Sequence, residues 1–213
     1  MIDSEEAARA WFETAPGFDG QARERLELLA VRLREENARQ NLVAAPTLES
    51  VWQRHFADSA QLLTHVPRET RSWLDLGSGA GFPGLVIGIL RPNLRVHLVE
   101  SRNRRIDWLE RMRSELGLDR VQVAGSRLEL VETFPSHVIS ARAFAPMPKL
   151  LDLSARFSTI DTTWVLPKGR SAAQELQELR GWRHKFHVEQ SLTDPSAGLI
   201  VGTLIGRKKV KRT

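Results

Sequence analysis

The stretch Ser72-Trp-Leu-Asp-Leu-Gly-Ser-Gly-Ala-Gly-Phe-Pro-Gly84 decides the reading of the whole chain. An apolar run, Trp73 to Leu76, ends in glycines at 77, 79, 81 and 84, and helix-compatible apolar residues follow from Leu85 to Leu90. Strand, glycine-rich turn and helix is the layout that receives a nucleotide at the carboxyl edge of an open α/β sheet. Glycines let the backbone approach a ligand where a Cβ would collide. The start of the helix aims free N–H groups at the same place.

Working outward, strand-like and helical runs alternate. Val96–Val99 reads as a second strand ending in Glu100, Asn103–Leu116 as a helix stopped by Gly117, and Val121–Ala124 as a third strand. Val138–Ser140 is a short fourth strand, Met147–Phe157 a helix, and Trp164–Leu166 a fifth strand closed by Pro167-Lys168-Gly169. Ala172–Leu179 reads as a helix, and Lys185–Gln190 with Leu199–Ile205 as a closing hairpin turned at Asp194–Gly198. The alternation predicts an α/β fold, a doubly wound, mostly parallel seven-stranded sheet over residues 71–206. A helical extension occupies residues 1–70. In it, Asp3 with Glu6 resembles a capping box, Asp19 caps a helix over Gly20–Arg39, and Thr47 caps a third helix over Leu48–Leu63. That third helix carries Arg54, His55, Asp58 and Ser59. Residues 207–213 form a basic tail whose Arg207, Lys208 and Lys209 could grip phosphates without sequence choice.

Composition narrows the chemistry. Cysteine is absent from the 213 residues, which fits a reducing cytoplasm and removes thiolate catalysis and thiolate zinc sites; no metal site is expected. No apolar run approaches the ~18 residues that cross a bilayer. The net charge of +5 leans toward an anionic partner such as nucleic acid. No long apolar seam argues for a dimer, so a monomer is expected.

The surroundings of the turn choose among nucleotides. A dinucleotide fingerprint runs G-x-G-x-x-G over a pyrophosphate, whereas here the spacing is Gly77-x-Gly79-x-Gly81 behind Asp75. A carboxylate beside the turn repels a pyrophosphate and suits the amino group and sulfonium of S-adenosylmethionine. Glu100, ending the second strand, can accept hydrogen bonds from both ribose hydroxyls. The loop Gly125-Ser126-Arg127-Leu128-Glu129 is placed to flank the adenine. A nicotinamide oxidoreductase would share the sheet but not Asp75 or this glycine spacing.

These residues resemble a family. Asp75 to Gly81 looks like motif I of the Rossmann-like class I S-adenosylmethionine methyltransferases. Further pieces resemble one branch, the bacterial 16S ribosomal RNA guanine-N7 methyltransferases, also called glucose-inhibited division protein B. They are Asn41-Leu42, Arg54-His55-x-x-Asp58-Ser59, Gly81-Phe-Pro-Gly84, Arg91-Pro92, Ser126-Arg127, Ser140-Ala-Arg-Ala-Phe-Ala145 and Lys168-Gly169. The resemblance implies methylation of N7 of a guanine in the 530 loop of 16S ribosomal RNA. It implies that Gly77 and Phe82 line the methionine and adenosine pocket, that Leu128 and Glu129 flank the adenine, and that Arg142 closes the site. Arg142 is expected to orient the substrate, with no general base, because N7 carries a free lone pair. Arg54, His55 and Lys168 are candidates for RNA contact, and Phe82 and Phe144 for stacking on the target base. The alternative is a class I methyltransferase acting on another RNA or a small molecule.

Overall fold

In the computed structural model, which describes residues 1–208, one twisted sheet runs through the molecule. Its strands are β1 (Ser72–Leu76), β2 (Arg95–Glu100), β3 (Val121–Gly125), β4 (Val138–Ala141), β5 (Thr163–Gly169), β6 (Trp182–His184), β7 (His187–Gln190) and β8 (Gly198–Arg207). The order is β3-β2-β1-β4-β5-β8-β6, and β7 also pairs β8. The first five strands are mutually parallel, and β8 enters antiparallel beside β5. β6 and β7 occupy successive stretches of the same edge of β8, so the sheet has seven positions with a broken edge strand. The predicted hairpin holds as β7 and β8. β6 is an addition to the expected strands: it is only three residues long and carries a register shift between Arg183 and His184, too short for a period to show in the sequence.

Alternation along each strand divides the core. Trp73, Val96, Leu98, Val121, Val138 and Val165 join the cluster on one face, and Leu74, Leu76, Val99, Ile139, Trp164 and Leu166 join that on the other. The first face is covered by α1 (Glu5–Phe12), α2 (Gly20–Asn37), residues 45–65, α4 (Gly84–Leu90) and α5 (Asn103–Glu115). The second is covered by α6 (Met147–Ser154) and α7 (Ala172–Glu178).

The front segment departs from expectation in two places. Ser4, not Asp3, caps α1, its Oγ accepting from Ala7 N at 3.0 Å. Asp19 caps α2 as expected, at 2.8 Å from Ala22 N. The third helix is not one α-helix. A 3₁₀ turn (Ala45–Leu48) is followed by a π-helical turn (Trp52–Ala57), one α turn (α3, Asp58–Ala60) and a second 3₁₀ turn (Gln61–His65). Pro46 opens the first piece, and Ser59 Oγ bonds back to the His55 carbonyl at 2.6 Å, a contact that bends helices. Glu5 of α1 replaces a local cap, its carboxylate accepting from Trp52 N and Gln53 N. Edge-on aromatic contacts then run from Phe12 to Trp52, to Phe56 and, tilted, to Phe82 at the glycine turn. Arg32 and Arg111 tie α2 to α5 through Glu115 and Glu36. The front helices are thus wired to the site at the carboxyl ends of the strands.

Candidate active site

The glycine turn leaves β1 with Gly77, Gly79 and Gly81 all at positive φ, backbone that L side chains rarely adopt. Ser78 N donates to the Val99 carbonyl at 3.0 Å, holding the turn against β2. Glu100 finishes the clamp. One of its oxygens accepts from Gly79 N at 3.0 Å, and the other from Ser101 N and Arg102 N at 2.7 and 2.9 Å. The carboxylate is 5% exposed, with the Arg105 guanidinium 3.9 Å away.

Asp75 stands differently from the sequence reading. It is fully buried on the front face, accepting from Ser140 Oγ at 2.7 Å and Gly84 N at 3.3 Å. It braces β1 to β4 and to the start of α4. Burial pushes its pKa up to about 6, against the opposing pull of Ser140, Ser78, Gly84 N and Arg142. Phe82 is likewise buried, at 2% exposure, so it does not offer a free face to a base. Its ring stacks on His55 (5.0 Å, 10°), and the Arg142 guanidinium lies 5.2 Å from its centre. On the third loop, Ser126 is half-buried while Arg127 and Glu129 are exposed. The Leu128 side chain packs into the rear core, and Arg156 takes its carbonyl.

Beside this turn, at the ends of β4 and β5, lies a cleft of about 730 Å³. Four separate segments wall it: Thr47 to Asp58, Arg142 to Pro146, Pro167 to Glu175, and Ser191 to Leu199. Arg142 is the first residue past β4. Its Nη1 lies 3.4 Å from Asp58 Oδ2 and 3.4 Å from His55 Nδ1. Thr47 gives its hydroxyl proton to the Ala44 carbonyl, so at 2.7 Å it accepts from His55 Nε2–H. The imidazole is therefore the Nε2–H form, with its Nδ1 lone pair toward Arg142. Burial, with the Arg142 and Arg54 cations, pushes the His55 pKa down to about 3, keeping the ring neutral. Arg54 itself reaches Asp194 at 3.6 Å.

Past Arg142, Ala143 sits at φ 53°, a left-handed conformation rare for a side-chain-bearing residue. That kink turns Phe144 back over the turn, where its ring fills the space a Cβ on Gly77 would take, 2.6 Å away. Phe144 is half-buried and lines the cleft, so it joins the two halves of the site. Lys168 is 8% exposed at its side chain and turned inward, donating to the Ala145 carbonyl and to Glu175, each at 2.9 Å. Glu175 also accepts from Met147 N and Ser171 Oγ, and these donors hold its pKa below the usual carboxylate range. Lys168 thus secures the Arg142–Pro146 loop. Arg207 pairs with Asp152 at 2.6 Å and lies over Trp182. Lys208 ends the described chain, and Lys209 lies outside the described residues.

The glycine turn, Glu100, Arg142 and Phe144, singled out from the sequence, lie together around the turn and the adjoining cleft. The sequence reading left Asp58 and Glu175 out of the site, although Asp58 stands in the quoted Arg-His-x-x-Asp run. Glu175 had no signal beyond being an acid in a helix. Among the described residues no helix is long and apolar enough to cross a membrane, and no group of three or more His, Asp or Glu could hold a metal.

A solved S-adenosylmethionine-dependent methyltransferase from Aquifex aeolicus shares the fold, with a TM-score of 0.58 at 14% identity, covering 83% of this chain and 98% of that one. The Ribosomal RNA small subunit methyltransferase G of Erythrobacter litoralis is 60% identical over 98% of this chain and all of its own length. Its namesake from Novosphingobium aromaticivorans is 54% identical over 97% of this chain and 91% of its own. A family model described as rRNA small subunit methyltransferase G matches residues 22–194, and the chain belongs to that family.

Proposed function

We propose that this chain transfers the methyl group of S-adenosylmethionine to N7 of a guanine in the 530 loop of 16S ribosomal RNA. The observation that carries the reading is the joined site. A glycine turn clamped by Glu100 lies next to a cleft whose wall holds a partly exposed guanidinium, with Phe144 lying against both. The turn's fit to the cofactor rests on its positive-φ glycines and on the acid at the end of β2. The turn backbone and Phe144 would hold the methionine end, Glu100 the ribose, and Gly125–Glu129 the adenine. When bound, the cofactor supplies an activated methyl on a sulfonium.

The residues of the chain then have a limited task. N7 of neutral guanine needs no deprotonation, so no general base is required. The site must align the base with the methyl and exclude water, and alignment of this kind can supply roughly 7–11 kcal/mol. Positive charge develops on the guanine ring, so Arg142 belongs on O6 or a phosphate and not on N7. His55, neutral and occupied on both nitrogens, holds Arg142 in place. Because N7 faces the narrow major groove of an RNA helix, the guanine must be reached in a loop or splayed from its stack. Arg54, Lys208 and Lys209 add contacts to RNA phosphates, and residues 1–70 serve as the wall that faces the RNA. The protein works as a cytoplasmic monomer.

Titration with S-adenosylmethionine and with NAD tests the cofactor: binding of the first alone is expected. Transfer of tritiated methyl to 16S RNA from a strain lacking the enzyme tests the substrate. Labelling of other RNAs but not of 16S RNA would refute the reading.

A further inference from the structure

Two adjacent groups on the cleft wall, Asp58 and Arg142, have unused hydrogen-bonding capacity among the described residues. Asp58 Oδ1 accepts from Gln61 Nε2 and Thr193 Oγ1, each at 3.0 Å, whereas Oδ2 meets, among the described residues, only Arg142, at 3.4 Å. Of the five donors of the Arg142 guanidinium, only Nη1 meets an acceptor among the described residues, and at long range. Both side chains are about a quarter exposed and line the cleft. A carboxylate and a guanidinium side by side, each with free capacity, offer an acceptor next to a donor in fixed order. Gln61, Thr193 and His55 keep that order from reversing.

Resting on the proposed guanine-N7 reaction, we infer that the Asp58–Arg142 pair is the base-reading element of this enzyme. Arg142 donates to O6, and Asp58 Oδ2 accepts from N1–H and the N2 amino group. Guanine presents acceptor, donor, donor along that edge, which matches donor then acceptor on the protein. Adenine presents an amino donor to the guanidinium and a bare N1 to the carboxylate, so both contacts become repulsive. The reacting atom N7 lies on the O6 side, away from Asp58. From Arg142 the chain runs through the Ala143 kink to Phe144 over Gly77, toward the methyl donor's turn. One pair thereby both selects guanine and leaves N7 open. Asp58 is accordingly a specificity residue that touches the substrate.

Inosine keeps N7, O6 and N1–H but lacks the N2 amino group. The test compares methyl transfer to 16S RNA carrying guanosine or inosine at the target position, by wild type, Asp58→Ala and Asp58→Asn. Wild type is expected to favour guanosine by ~10-fold or more in kcat/KM, since a site built to bond a group rejects the analogue that lacks it. Asp58→Ala should bring the two RNAs to within about 3-fold of each other. Asp58→Asn, which keeps the side-chain shape, should also shrink the ratio. A purely structural Asp58 would lower both rates and leave the ratio at its wild-type value; that result, or no preference in wild type, overturns the inference. Wild type transferring methyl to neither RNA would instead overturn the proposed function.

Discussion

The two halves of the site are built by different means. The cofactor side is one contiguous turn, Gly77 to Gly84, held by backbone amides that are satisfied by Glu100 and Asp75. The cleft side is assembled from four distant segments joined by side chains: Lys168 to Ala145 and Thr193 to Asp58 are close, at 2.9 and 3.0 Å, whereas Arg142 meets Asp58 and His55 at 3.4 Å and Arg54 meets Asp194 at 3.6 Å. The first has its backbone amides satisfied within the chain, which suits its proposed role of holding a small cofactor. The second keeps donors and acceptors in reserve at Arg142 and Asp58, which suits its proposed role of engaging and releasing a large RNA.

The contrast breaks first at the turn. A Cβ on Gly81, at φ +98°, would lie 2.3 Å from the Leu85 side chain. Gly81→Ala is expected to cost about 2–5 kcal/mol in strain and overpacking, seen as a lowered unfolding midpoint in urea and lost cofactor binding. Unchanged binding would mean that the turn is softer than described. Next is Asp75, whose raised pKa favours the protonated form in the folded state. Its stability contribution is present below about pH 4 and lost as pH rises through about 6. Between pH 4 and 7, wild type should lose about 3 kcal/mol relative to Asp75→Asn. Parallel stability curves for the two proteins would show that Asp75 is not held as described.

On the cleft side the effect at Arg142 is smaller and falls on RNA. Arg142→Lys keeps the charge but loses the planar fork. It should lower kcat/KM for RNA by roughly 30-fold, about 2 kcal/mol, while cofactor affinity moves less. The reverse split would place Arg142 on the cofactor. His55 sharpens the comparison by running opposite to Asp75. Its depressed pKa gives stability present above pH 6.5 that is lost as pH falls toward about 3, at up to about 1.4 kcal/mol per pH unit. His55→Gln should flatten that slope in pH-dependent unfolding.

The same division explains what could be read from the sequence. The turn, the strands and Glu100 are local patterns, and period and spacing found them. The cleft depends on Asp58, Glu175 and Thr193 meeting Arg142 and Lys168 across the sheet, and no spacing encodes that meeting. Asp75 was placed correctly beside the glycines but turned the wrong way. Pattern cannot show that Ser140 and Gly84 N lie behind it. The helix over 48–63 failed for a related reason: Glu5, far away in sequence, caps its middle, and Ser59 and Pro46 bend it.

Under the proposed function, methyl transfer to guanine N7 proceeds by alignment, without a base. The most direct measurement treats 16S RNA from a strain lacking the enzyme with the protein and S-adenosylmethionine. The product is then mapped by borohydride reduction and strand scission, which cuts at N7-methylguanine. One new cut is expected, at a guanine of the 530 loop, with a chemical step whose rate does not change between pH 7 and 9. Methyl found on another atom or another base, or a rate that follows a single ionising side chain across that range, would contradict it.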